Sequence, residues 1–158
     1  MKIKNFFQAL LAILLCQSAG IIGSFFTANK IQTWYDALQK PFFNPPGWIF
    51  GPVWFTLYCL MGISLYLLWQ QRKTNPKANK AVVAFLIHLI FNATWSIVFF
   101  GLEMLGLAVL NILIILGFII YLIKISYSIN KTASYLLVPY LAWVSFATLL
   151  NIAILVLN

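Results

Sequence analysis

Residues 6–26, FFQALLAILLCQSAGIIGSFF, carry no charged side chain, and four further stretches of similar length, at about 46–70, 80–101, 107–128 and 133–157, are nearly as bare. A hydrocarbon layer of roughly 30 Å is crossed by about 20 apolar residues in a helix, which satisfies its own backbone hydrogen bonds. The runs are continuous and do not alternate apolar with polar, so they read as helices and not as barrel strands. With 63% of its 158 residues hydrophobic and only 8% charged, the chain cannot build a water-facing surface. The expectation is one all-α domain over residues 1–158, an integral membrane bundle of five helices.

The net charge of +8 does not point to nucleic acid, because the basic residues are scattered over the span ends and one short loop and form no basic face interleaved with aromatics. Their distribution reads as topology. Lys2, Lys4, Arg72, Lys73, Lys77, Lys80, Lys124 and Lys131 fall on one side, eight in all, against Lys30 and Lys40, two, on the other. The excess of Lys and Arg marks the inside. The N-terminus is therefore expected inside a bacterial cell membrane, with the first loop and the C-terminus outside. The first apolar run has the basic start of a secretory signal, but its length makes it a span. Leu15, before Cys16, is too large for a lipoprotein signal. Cys16 and Cys59 both lie in spans and are expected to be free thiols.

Between the first two spans lies TANKIQTWYDALQKPFFNPP, residues 27–46, a long loop in a chain otherwise economical with them. Loops of this length are functional or disordered, and Trp34, Tyr35, Phe42 and Phe43 favour something to pack against. Pro45 and Pro46 read as start signals for span two, Pro52 as a local bend deeper in it, and Gly47 and Gly51 as a small-residue face for a close helix neighbour. Asn75-Pro76 reads as a turn, residues 103–106 as a tight turn, and Ala19 with Gly23 and Gly20 with Ser24 as small-residue pairs for packing within or between chains.

Several spans carry polar and aromatic residues on one face. Trp54, Tyr58 and Met61 recur at helical spacing in span two, either as a packed or interfacial stripe or as a site wall. His88, Asn92, Trp95 and Phe99 step by four, three and four in span three, so they share a face that must look inward. His88 and Asn92 serve there as interhelical hydrogen-bonding groups, or Asn92 beside a tryptophan orients a ligand in an apolar pocket. Pro139, Trp143 and Ala147 are spaced by four in span five: a kink, a ring, and a small residue that leaves a hollow. If the three faces meet, Trp54, Trp95 and Trp143 surround a cavity roofed by the aromatic loop; solid packing is the alternative. Asp36 and Glu103 lie at span edges or in a loop, which disfavours proton-coupled transport. No phosphate loop, metal-spaced Cys/His cluster or nucleophile with a base is present, so neither metal nor hydrolytic chemistry is expected.

Four motifs in order, WYDALQKPFFNPP (residues 34–46), W-x-x-L-Y-x-x-M-G (54–62), N-x-x-W with FFG (92–101) and PYLAWVSFATLLN (139–151), cover nearly the whole chain. Together they resemble the translocator protein family, TspO, also called tryptophan-rich sensory protein or peripheral benzodiazepine receptor, in its bacterial form. The resemblance implies a five-helix membrane protein, commonly a homodimer, with a pocket on the side of the first loop. It implies porphyrins such as protoporphyrin IX as ligands, synthetic isoquinoline carboxamides and benzodiazepines as others, and in some bacterial members light-dependent protoporphyrin breakdown at pocket tryptophans. Those map to Trp54 and Trp143; Tyr35, Asn92 and Ala147 map to pocket positions. Ala93 and Phe43 stand where many relatives have tryptophan, and NIAILVLN lacks the tyrosine and basic residue of the animal sterol segment.

The expected ligand-binding set is Trp34, Tyr35, Pro45, Trp54, Tyr58, Asn92, Trp95, Phe99, Trp143 and Ala147, with Trp54 and Trp143 as the reactive pair and Lys30 and Lys40 as partners for a ligand carboxylate or as plain interfacial anchors. No bound cofactor is called for beyond light and oxygen. The leading expectation is a tetrapyrrole receptor that degrades its ligand; the alternatives are a carrier of porphyrin or another amphiphile, and a ligand-sensing interaction protein without catalysis.

Overall fold

The computed structural model describes residues 3–158; Lys2, one of the eight inner-side cations, lies outside them. The described residues form helices α1 (Ile3–Thr27), α2 (Phe50–Gln71), α3 (Pro76–Ser96), α4 (Leu105–Tyr127), α5 (Lys131–Tyr135) and α6 (Val138–Leu157). Five stretches are long and apolar enough to cross a membrane, Lys4–Thr27, Gly47–Gln71, Pro76–Gly101, Leu105–Tyr127 and Lys131–Leu157, the last joining α5 to α6. Large apolar side chains stand exposed along every span, as a lipid-facing surface requires. The chain is an integral membrane bundle.

Packing runs in a ring, α1 on α2, α2 on α5 and α6, α6 on α4, α4 on α3 and α3 back on α1, with α2 also touching α3 across the middle. α1 is the least buried span. It is gripped through small residues: the missing side chain of Gly62 admits the Ile13 backbone, Gly20 admits the Tyr58 ring, and Gly23 admits Ser96. Gly20 and Gly23 therefore serve contacts within the chain. Nothing lies within 4 Å of where a Cβ would stand on Gly47 or Gly51, so the expected small-residue face there is not used.

The helix ends differ in detail from the expectations. Asn75-Pro76 is a helix start: the Asn75 side chain accepts from Lys77 N at 3.0 Å and Pro76 occupies the first turn, so α3 begins four residues before Lys80. Pro46 precedes a short 3₁₀ turn, Gly47–Ile49, and Pro52 falls in the first turn of α2. Pro52 therefore sits nearer the helix start than expected, where a missing N–H is best tolerated. Gly106 lies within α4, and the turn before it is Leu102 to Met104, with Glu103 at φ 58. Pro139 is at the start of α6, after a break at Leu136 and Leu137.

Two π-helical turns, Ile31–Tyr35 and Ile97–Gly101, sit at one end of the bundle and face each other. At this end Lys30 Nζ meets Glu103 Oε1 at 2.6 Å. The Gln39 backbone exchanges two hydrogen bonds with the Asn158 amide, both 3.0 Å. The long loop is thus tied to the α3–α4 turn and to the end of α6.

Candidate functional site

Beneath that loop the structure gathers rings from four elements. Trp34 meets Phe99 edge-on, 5.5 Å between centroids, and Tyr35 lies 5.7 Å from Phe100. The π turn at Ile97–Gly101 brings Phe99 and Phe100 side by side at 4.8 Å, and Trp95 stacks on Phe99 at 5.0 Å. Such turns recur at functional sites because the extra residue re-aims side chains. Tyr35 donates to Asn44 Oδ1 at 2.9 Å, and Asn44 Nδ2 donates to the Pro45 carbonyl at 3.3 Å, which places Pro45 at the rim. The Tyr35 phenol is held above its usual range by burial first and by the Asp36 charge second, the Asn44 hydrogen bond opposing both.

Deeper in the bundle, Trp54 stacks on Tyr58 at 5.4 Å and meets Tyr140 edge-on at 6.2 Å. Phe50, one turn before Trp54, packs edge-on against Trp143 at 5.8 Å, and Trp143 leans on Phe146 at 5.6 Å. Trp54 and Trp143 therefore both line the seam between α2 and α6. The backbones of these helices stand apart, and rings meet across the seam, Phe50 with Trp143 and Trp54 with Tyr140. Both indoles are half-buried and pack against the core. The Trp143 Nε1 atom is buried and finds no acceptor among the described residues.

The expected face of α3 looks inward: His88, Asn92 and Phe99 are buried and Trp95 is half-buried. Tyr58 donates to Asn92 Oδ1 at 2.6 Å, Asn92 Nδ2 donates to the Tyr140 hydroxyl at 2.8 Å, and that hydroxyl lies 2.9 Å from His88 Nε2. Trp95 Nε1 donates to Asn151 Oδ1 at 3.3 Å, and Asn151 Nδ2 donates to the Ala147 carbonyl at 3.0 Å. Polar groups at this depth are thus interhelical partners.

The contacts above gather Trp34, Tyr35, Pro45, Trp95, Phe99 and Ala147 toward the loop end and Trp54, Tyr58, Asn92 and Trp143 around the α2–α6 seam. Each of the three indoles has a ring neighbour, Tyr58 for Trp54, Phe99 for Trp95 and Phe50 for Trp143. Two surface hollows lie elsewhere: a groove of about 350 Å³ between α3 and α4, lined by Lys80, Ala84 and Phe118 among others, and one of about 290 Å³ on α4 beside Gly117. Both are shallow and mainly apolar, with Tyr121 on each and Lys80 on the first. Lys30 is engaged with Glu103; Lys40 Nζ sits 3.7 Å from Asp36 and 4.8 Å from the Tyr35 ring centroid. Cys16 and Cys59 are free, and no group of three or more potential metal ligands occurs among the described residues.

Tyr140, Phe50 and Phe100 were missed by sequence reasoning. Tyr140 stands three residues before Trp143 and seven before Ala147, so helical spacing counted from the tryptophan, not from Pro139, places it on the same face. Phe50 stands four before Trp54 for the same reason. Phe100 depends on the π turn, which hydropathy does not register.

Residues 12–157 match the family model described as the TspO/MBR family. The chain is similar to the tryptophan-rich protein TspO of Archaeoglobus fulgidus, 44% identical over 98% of this chain and 99% of that protein. It resembles the protein of the same name from Chlorobaculum tepidum at 39%, over 98% of each. The human translocator protein is 38% identical, over 82% of this chain and 78% of its own.

Proposed function

Because the chain belongs to the TspO/MBR family and is an integral membrane protein, we propose that it is a tetrapyrrole receptor, taking porphyrins such as protoporphyrin IX at the α2–α6 seam and promoting their light- and oxygen-dependent breakdown. The observation that carries this reading is the Trp143 indole, a buried donor without an acceptor among the described residues, at the α2–α6 seam that Trp54 also lines. A buried tryptophan N–H ordinarily finds a partner. A ligand acceptor supplies one. Ring-on-ring contacts are the interactions a flat macrocycle can replace with little loss, and its carboxylates would reach the loop end, where Lys30 and Lys40 would exchange Glu103 and Asp36 for them.

The chemistry asks little of the protein. An excited porphyrin against an indole takes an electron from it or sensitises oxygen beside it, and neither step needs an acid, a base or a metal. In this reading the protein works as a homodimer in the cell membrane, and isoquinoline carboxamides and benzodiazepines compete for the same seam. The human relative bears the name translocator protein, which favours as a second reading the carriage of such an amphiphile across the bilayer.

Purified protein incubated with protoporphyrin in light and in darkness, with indole fluorescence and pigment absorbance followed together, separates binding from conversion. The double variant Trp54→Phe, Trp143→Phe should keep most of the apolar area and lose the light-driven loss of pigment. Pigment loss at the parental rate would refute the role of the indoles. Porphyrin accumulating inside sealed vesicles in darkness would instead favour the carrier.

A further inference from the structure

The hydrogen bonds below Trp54 run in one direction and end on a base. The Tyr58 hydroxyl has one partner among the described residues, Asn92 Oδ1, and must donate to it. Asn92 then turns Nδ2 toward Tyr140, whose oxygen accepts. The Tyr140 proton is left with His88 Nε2 as its acceptor, which puts the imidazole hydrogen on Nδ1, the nitrogen without a partner. Tyr140 is 1% exposed and His88 0%, so bulk solvent does not reach that proton. The Tyr140 ring is in edge contact with Trp54, 6.2 Å between centroids.

We propose that Tyr140 and His88 form a redox pair that takes the oxidising equivalent from Trp54; as a role for Trp54 in photochemistry, this rests on the proposed tetrapyrrole breakdown. An excited tetrapyrrole, or another one-electron oxidant, removes an electron from Trp54, becoming reduced by one electron and leaving an indole radical cation. Tyr140 returns an electron to Trp54, restoring the neutral indole. In the same step its O–H bond breaks, the proton forms an N–H bond at His88 Nε2, and Tyr140 is left as a neutral radical. Charge balances: one negative charge on the reduced oxidant, one positive on the imidazolium.

The proton decides where the hole stops. A tyrosine that loses an electron becomes a very strong acid, and oxidation is accessible only if a base takes the proton at once. Tyr58 is nearer to Trp54, at 5.4 Å, but its hydroxyl faces an amide oxygen, which is far less basic than imidazole. Tyr140 faces imidazole. Held among Phe85, Phe118 and the Tyr140 ring, the imidazolium is poorly solvated, so the proton returns when Tyr140 is reduced and the pair resets. Moving the hole one ring away from the ligand slows recombination and gives oxygen time to react.

The test needs no porphyrin. A laser pulse photoionises tryptophan in the purified protein, a scavenger removes the ejected electrons, and transient absorbance tracks indole and tyrosyl radicals. The parent should show a tyrosyl signal growing as the indole radical decays. Tyr140→Phe, which keeps the ring, should lose a tyrosyl component, Trp54→Phe should lose the same component, and the double variant should lose no more than either. Tyr58→Phe should retain it. His88→Gln, which can still accept a hydrogen bond but not hold the proton, should lose it too, whereas a merely structural role would be rescued. An unchanged tyrosyl yield in Tyr140→Phe, or a component lost with Tyr58 instead, overturns the proposal. Either result leaves porphyrin binding and breakdown to be judged by their own assay.

Discussion

Asn92 holds two tyrosines in opposite senses, accepting from Tyr58 and donating to Tyr140, in a setting where no solvent replaces either bond. Asn92→Ala would leave the Tyr58 hydroxyl without an acceptor and open space beside it. A buried group left unpaired costs about 1–3 kcal/mol, so the variant should melt several degrees below the parent in detergent. Asn111 is a useful contrast, since its Oδ1 already lacks a partner and its Nδ2 makes one 3.2 Å bond to Thr94. Asn111→Leu should be much milder, and equal losses at the two positions would refute the asymmetry. The inward face of His88, Asn92, Trp95 and Phe99 was legible in the sequence because an uninterrupted helix maps spacing directly onto direction. The hydrogen-bond partners were not, because Tyr140 lies 48 residues from Asn92 and carries no local mark of the pairing.

Among the elements, α1 and α2 are held together by what is absent. Any Cβ on Gly62 would run into the Ile13 backbone, which cannot rotate out of the way. Gly62→Ala should therefore destabilise by about 1–3 kcal/mol, as overpacking of a tight contact does. Gly51→Ala should be neutral or stabilise by up to about 1 kcal/mol, since it meets open space in a helix. Thermal melts of the two variants check the contrast, and a matching loss at Gly51 would show a contact there after all. The two glycines read alike in the sequence, and only the docking of helices separates them. The spans themselves were legible from charge-free length. Their ends were less so: Lys77 and Lys80 disguised the first turn of α3, although Asn75-Pro76 is as good a cap as it is a turn.

For the whole molecule, the ties from Lys30 to Glu103 and from Gln39 to Asn158 collect the first loop, the α3–α4 turn and the end of α6 at one pole, and Gln8 meets Gln70 at the other. Among the described residues the excess of basic side chains lies at the second pole, so the expectation to be tested is that this pole faces the interior. Single cysteines placed at exposed loop positions such as Gln32 or Gln39 should react with an impermeant thiol reagent on intact cells, while one at Asn79 should not. The reverse pattern would invert the topology. The meeting of Trp34 and Tyr35 with Phe99 and Phe100 was beyond the reach of hydropathy, since it depends on how far the chain advances per turn. Each π turn is one residue too rich for an ordinary helix. Deleting a single residue within Ile97–Gly101 would let the coil wind normally and leave the orientation of α3 against the Leu102–Met104 turn nearly unchanged, whereas the same loss from a regular helix turns its flanks by about 100°. A one-codon loss, ruinous in most helices, would here be absorbed locally, changing which rings face the loop while the rest of the bundle keeps its register.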